Sequence, residues 1–133
     1  MRFLRSPHVQ AGLWAATIAV LMMLPADDLR FFEPWLPLSL DQWIDKVQHL
    51  IVFMVLVVFL TRSLSELKRI ERPLLMAAIL TLAFSFLLEA MQSLVPWRYW
   101  DVKDLVADAL GVMMAVPIAT RFVRTTSPSE VQR

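Results

Sequence analysis

Four stretches of this chain are nearly free of charge, and they leave few folds open. Ser6 to Ala26, Val47 to Thr61 and Pro73 to Leu88 hold no Asp, Glu, Lys or Arg, and Leu105 to Thr120 holds Asp108 alone. A helix needs about 20 residues to cross the hydrocarbon core of a bilayer. The first stretch is long enough unaided, and the other three must borrow turns from their polar flanks. Apolar residues make up 58% of the chain, against roughly 45–50% in soluble domains. A water-soluble fold would have to expose much of that surface. The expectation is an all-α integral membrane four-helix bundle.

Capping signals set the expected boundaries. The first helix runs over about 7–25 and stops at Pro25. Ser39 followed by Gln42 reads as a capping box, which starts the second helix near Leu40 and carries it over 40–64. Pro73 suits the first turn of the third helix, over 73–94, before Pro96 forbids continuation. Asp101, with Asp104 three residues on, caps the fourth over 101–122. Residues 1–124 then form a single four-helix transmembrane domain, and 125–133 a disordered cytoplasmic tail. Arg2 and Arg5 ahead of an apolar run that ends at Ala26 also imitate a signal peptide. The length of the run and the poor cleavage site at Leu24-Pro25-Ala26 favour a retained helix.

Charge gives the orientation. Nine of the 13 Lys and Arg lie in the N-terminus, the Thr61 to Arg72 loop and the C-terminus. The remaining four are Arg30, Lys46, Arg98 and Lys103. The positive-inside rule therefore puts both termini in the cytoplasm. The acids segregate the other way: only Glu66, Glu71 and Glu130 fall inside, and the other nine fall outside with Phe31, Phe32, Trp35, Trp43, Trp97, Tyr99 and Trp100. The net charge of +1 offers no basic field for nucleic acid. With no cysteine there is no disulfide, thiolate metal site or thiol nucleophile.

At 100° per residue, each of the last three helices carries one polar seam. On the fourth, Asp101, Asp104, Asp108, Gly111 and Ala115 share a stripe. On the third the stripe is Thr81, Ser85, Glu89 and Gln92, and on the second Asp45 and His49 lie one turn apart. Lipid cannot solvate such groups, so the seams should face one another near the extracytoplasmic end. Gly111 and Ala115 form a small-xxx-small pair that admits a neighbouring helix closely. Simpler roles stand beside a site: Asp101 and Asp104 as helix caps, Lys46 as a snorkelling anchor, Arg98 as a nonspecific lipid-phosphate contact, His49 as a structural hydrogen-bonding residue, and a protonated Asp108 bonded to Thr81 or Ser85. A cap does not explain Asp108, which lies about 10 Å deeper than Asp101.

The order Asp45-Lys46-x-x-His49, Glu89-x-x-Gln92 and Arg98-x-x-Asp101-x-x-Asp104-x-x-x-Asp108-x-x-Gly111 resembles the VanZ-like family of small bacterial membrane proteins, over Asp41 to Ala115. Asp108 stands where members commonly carry Asn, and Ala115 where many carry a second Gly. The resemblance implies a multi-pass protein of the bacterial cytoplasmic (inner) membrane. It also implies a link to teicoplanin resistance, since the family is named for a protein encoded with glycopeptide-resistance genes.

The expected ligand-binding set is Asp45, Lys46, His49, Glu89, Gln92, Arg98, Asp101, Asp104 and Asp108, with Gly111 and Ala115 for helix packing. No cofactor is identified and no residue is assigned to a metal. The membrane lipid is one partner. A further partner would be an anionic lipid head group or a cell-wall lipid precursor, gripped by the planar fork of Arg98; nucleic acid is not one, and oligomers remain open. Two other function classes fit the same residues. One is an enzyme acting on a lipid-linked phosphate, with a divalent cation held among Glu89, His49, Asp45, Asp104 and Asp108. The other is a small proton-coupled transporter using Asp108, although the first helix lacks the carboxylate that such exporters place there.

The orientation is testable on this cysteine-free chain. A cysteine introduced at Glu33 should react with a membrane-impermeant thiol reagent in intact cells, and one at Glu66 should not. The reverse pattern would invert the protein.

Overall fold

A computed structural model describes residues 5–24, 38–67, 69–96 and 101–125, without the side chains of 38–42, 124 and 125. Among these residues there are four helices and no strand: α1 (Pro7–Met23), α2 (Leu38–Ser65), α3 (Pro73–Gln92) and α4 (Val102–Thr125). Stretches of α2, α3 and α4 over Trp43–Ser65, Pro73–Gln92 and Val102–Val123 are long and apolar enough to cross a membrane, whereas α1 has 17 residues. The expected tail at 125–133 lies, after its first residue, outside the described residues.

Local chemistry moves the expected ends by one to three residues. Leu24 leaves α1 in an extended conformation with φ −68° and ψ 146°, as the residue before a proline must, because the ring of Pro25 clashes with a helical neighbour. So α1 ends at Met23, two residues short of expectation. The second helix begins at Leu38 rather than Leu40, which puts Ser39 inside the helix instead of at its cap. On α3, Ser93 closes the last turn by donating its N–H to the Glu89 carbonyl, and the helix stops at Gln92 rather than 94. On α4, Asp101 stands just before the helix. Its Oδ1 accepts the Lys103 N–H at 2.9 Å and its carbonyl accepts the Asp104 N–H at 3.0 Å, which satisfies two of the free donors of the first turn. That helix runs on to Thr125 through Pro117, whose exposed ring lies away from the packed face.

Side-chain contacts fix the topology. His8 meets Ser63 and Trp14 meets Val52, so α1 runs antiparallel to α2. Lys46 meets Asp104, His49 meets Asp108 and Arg62 lies over Phe122, so α4 runs parallel to α2. Gln92 reaches Met22 and Ser85 reaches Asp108, which sets α3 alongside α1 and against α2 and α4. The result is an up-down-up-down bundle. Its centre is α2, which packs on the other three, while α1 touches α2 and, over a smaller contact, α3. Ile18, Met22, Val52, Phe53, Leu56 and Leu88 form one apolar core, and Val57, Val112 and Ala115 a second.

The bundle is apolar outside and partly polar inside. Trp43, Val47, Ile79, Phe86, Leu87, Val106 and Met113 are exposed, whereas His49, Thr81, Ser85, Glu89, Gln92, Asp104 and Asp108 are buried. So large an apolar surface is stable only against lipid.

At Gly111 the backbones of α2 and α4 approach closely. A Cβ there would penetrate the Leu50 carbonyl oxygen and lie 3.0 Å from its carbonyl carbon. Both are backbone atoms of α2, so they cannot step aside as a side chain would. Gly111→Ala should therefore destabilise the bundle by about 3 kcal/mol, through forced separation of α2 and α4. Gly12→Ala, with nothing within 4 Å of the added methyl, should be neutral or stabilising by up to about 1 kcal/mol. Unfolding of both variants in mixed micelles on addition of SDS measures the contrast.

Candidate functional site

Where α2 and α4 begin and α3 ends, three helix termini bring five carboxylates together: Asp45, Glu89, Asp101, Asp104 and Asp108. The parallel register of α2 and α4 creates this cluster, because it pairs residues about 60 positions apart and sets Asp45 to His49 beside Asp104 to Asp108. Close packing at Gly111 holds the two helices at that distance.

Two polar units result. In the outer one, the Lys46 ammonium lies 3.1 Å from Asp45, 3.0 Å from Asp101 and in a short contact with Asp104. An ammonium has three N–H donors, and three carboxylates take them. Lys46 is thus committed within the protein rather than free to grip a phosphate or snorkel. Asp101, outside the membrane-spanning segment, has its carboxyl held below the usual range by the Lys103 N–H and then by Lys46. Its contribution to the start of α4 is present at neutral pH and is lost as pH falls through that lowered value.

The inner unit lies one turn deeper. Asp108 is 1% exposed, and both of its oxygens are engaged: Oδ1 is 2.9 Å from His49 Nδ1, and Oδ2 accepts the Ser85 hydroxyl. The charge that sequence position puts at membrane depth is therefore met by two donors from two other helices. With Nδ1–H donating to Asp108, the lone pair of His49 is on Nε2, and that atom has no hydrogen-bond partner among the described residues. Glu89 goes further. It is 1% exposed, and neither of its oxygens makes a close hydrogen bond among the described residues, although the Asp101 backbone N–H, Asp104, His49 and Asp108 all lie near enough to act on it electrostatically. The buried Thr81 hydroxyl, one turn below Ser85, is likewise unpartnered in that set.

Two candidates stand apart from this cluster. The Gln92 amide donates to the Met22 carbonyl at 2.8 Å, which ties α3 to the last turn of α1. Ala115 is buried against Val57 and Val112 in the α2–α4 core. Arg98 lies outside the described residues. Metal-ligand geometry does occur: one ligand atom each from Asp45, His49 and Asp104 lie within 4.8 Å of one another.

Sequence reasoning did not single out His8, Ser63 and Glu66 at the opposite end. There His8 Nδ1 lies 2.6 Å from the Ser63 hydroxyl and Nε2 lies 3.3 Å from Glu66. Only the antiparallel placement of α1 on α2 joins them. Nor did it find the Trp14 indole N–H, which donates to the Val52 carbonyl at 2.9 Å.

The inner unit makes a stability prediction. Asp108→Asn keeps one acceptor and adds two donors, and His49 can answer by moving its proton to Nε2. That variant should fold at a cost of about 1–2 kcal/mol. Asp108→Ala leaves both His49 and Ser85 without their partner in a buried place, and should cost about 3–5 kcal/mol. Detergent-denaturation midpoints of the two variants give the comparison.

Neither the curated proteins nor the solved structures include a match to this chain. The family model described as VanZ/LLP1 matches over residues 3–123, a span that takes in the acidic cluster and reaches into all four helices. The chain therefore belongs to the VanZ/LLP1 family, as a multi-pass membrane protein.

Proposed function

We propose that this protein binds and shields the polar head of a cell-envelope amphiphile at the acidic end of the bundle, in the outer leaflet of the bacterial cytoplasmic membrane. The amphiphile is a lipid or lipoglycopeptide of the teicoplanin type, with its tail lying along the lipid-facing helices. Glu89 is the observation that carries this reading. A buried carboxyl group without a close hydrogen bond is costly in any protein, and more so where lipid is the surrounding solvent. Its two oxygens suit the hydroxyl and amine donors of a sugar or peptide head group. Asp108, by contrast, is satisfied by His49 and Ser85 and acts as the support that orients the imidazole.

With Lys46 taken up by three aspartates, the anionic part of such a head group falls to Arg98, which follows α3 by six residues. The competing reading, an enzyme acting on a lipid-linked phosphate, uses the same His49–Asp108 pair with Nε2 as general base. It differs in requiring turnover of the bound head group.

Two conservative substitutions separate binding from helix packing. Glu89→Gln preserves shape and most hydrogen bonding, and Arg98→Lys preserves charge. A purely structural role tolerates both. Binding through the carboxylate and the guanidinium fork does not, and each change should weaken it by about 1.5–3 kcal/mol. The measurement is membrane abundance together with teicoplanin susceptibility in cells expressing each variant. The expected outcome is normal abundance with lost protection. Full protection by both variants at normal abundance would show that the polar seam is only packing.

A further inference from the structure

We propose that Asp45, His49 and Asp104 form a binding site for a divalent first-row transition cation, with the Lys46 ammonium as its built-in competitor. This goes beyond head-group binding and does not depend on it. Two carboxylates and an imidazole with ligand atoms mutually within 4.8 Å make a mixed oxygen and nitrogen donor set. The imidazole favours Zn²⁺, Mn²⁺ or Co²⁺ over Mg²⁺ and Ca²⁺, which prefer oxygen alone. Three protein ligands leave a coordination position for another oxygen.

Two observations beyond the grouping itself point to a cation. First, His49 is 2% exposed, and its Nδ1 is held by Asp108 while its Nε2 meets no donor among the described residues. A carboxylate on one imidazole nitrogen, with the other nitrogen carrying an open lone pair, is the support that metal-bound histidines use. Asp108 is itself fixed by Ser85, so the ring is oriented from two helices. Second, Glu89 is buried beside Asp104 and His49 with no close hydrogen bond to either oxygen. It brings a further carboxyl group to a place where one ammonium already faces three carboxylates.

Lys46 does not block the site. Its ammonium also lies 3.0 Å from Asp101, a half-exposed carboxylate outside the proposed ligand set. A cation on Asp45 and Asp104 leaves Lys46 paired with Asp101, so the exchange keeps both charges neutralised.

The test uses the full chain, purified through a tag without histidines, stripped with chelator and held in neutral detergent. Co²⁺ binding is followed by absorbance, and Zn²⁺ binding by competition with a chromophoric chelator. The expected result is one ion per chain, not displaced by Mg²⁺. His49→Ala should weaken binding about 100-fold, and Asp108→Asn about 10-fold through the loss of its hold on the ring. Lys46→Met should tighten binding about 10-fold by removing the competitor. His8→Ala, at the opposite end, should leave affinity unchanged. If His49→Ala does not accumulate as folded protein, Asp45→Asn at the half-buried rim reads the same loss of a ligand. No saturable uptake by the native chain, or native affinity in the ligand variant, overturns the site. Neither result bears on the susceptibility assay of Glu89→Gln and Arg98→Lys, which stands or falls separately.

Discussion

A bilayer cannot hydrate a carboxylate, and the arrangement of this bundle follows from where its carboxylates are kept. An Asp at the centre of a membrane helix costs around 2.5–3.5 kcal/mol on insertion scales. For Asp108 the remedy is a donor on each oxygen, His49 from α2 and Ser85 from α3. Those two bonds require three helices to meet at one level, and in the right rotation about their axes. The polar unit therefore specifies register in a way that apolar packing alone would not. Leucines and valines on a lipid-facing bundle can slide by a turn with little penalty, because lipid is as apolar as the neighbouring helix.

Close approach and polar pairing reinforce each other along α4. Gly111 lies one turn below Asp108, and its missing side chain is what brings the α4 backbone against Leu50. Leu50 in turn follows His49 directly. A wider separation at Gly111 would lengthen the His49–Asp108 bond in the same movement. Small-residue packing and the buried His49–Asp108 hydrogen bond are thus one structural unit, and the four-residue spacing of Gly111 and Ala115 continues it into the apolar core beside Val57 and Val112.

Much of this was legible in the sequence, for reasons that also explain what was not. Helix number and type follow from the uncharged blocks, since a continuous apolar run of that length meets its own backbone hydrogen bonds in lipid as a helix. The shared stripe of Asp104, Asp108 and Gly111 follows from helical periodicity. Pairing between helices is another matter. Lys46 adjoins Asp45 in the chain, yet its ammonium is shared with Asp101 and Asp104 because α2 and α4 run parallel, an offset that no local pattern encodes. Gln92 falls on the same α3 stripe as Glu89, but it lies where α1 ends, and an unsatisfied carbonyl of that last turn claims its amide. Helix ends drifted by one to three residues because capping competes with backbone sterics. Pre-proline restriction ended α1 two residues before Pro25, whereas the Ser39 signal did not hold back the start of α2. The resemblance over Asp41 to Ala115 carried the family, and the matched span of 3–123 extends it to the first helix.

That first helix docks on the bundle by different means. Among the helices α1 alone has no polar seam, and its 17 residues are short for a full crossing. It is held instead by side chains reaching backbone carbonyls: Trp14 to Val52 in the middle, and Gln92 to Met22 at the acidic end. Such carbonyls are acceptors that any helix offers, the first within a turn pattern and the second among the free groups of a helix end. At the other end the His8–Glu66 contact is half exposed, where an ion pair contributes little. The firm attachments of α1 therefore lie from its middle toward the acidic end, with Ile18 and Met22 packed on Phe53 and Leu88 between them. Leu88 precedes Glu89 in the chain, so the apolar core that α1 completes borders the turn of α3 that carries that carboxyl group.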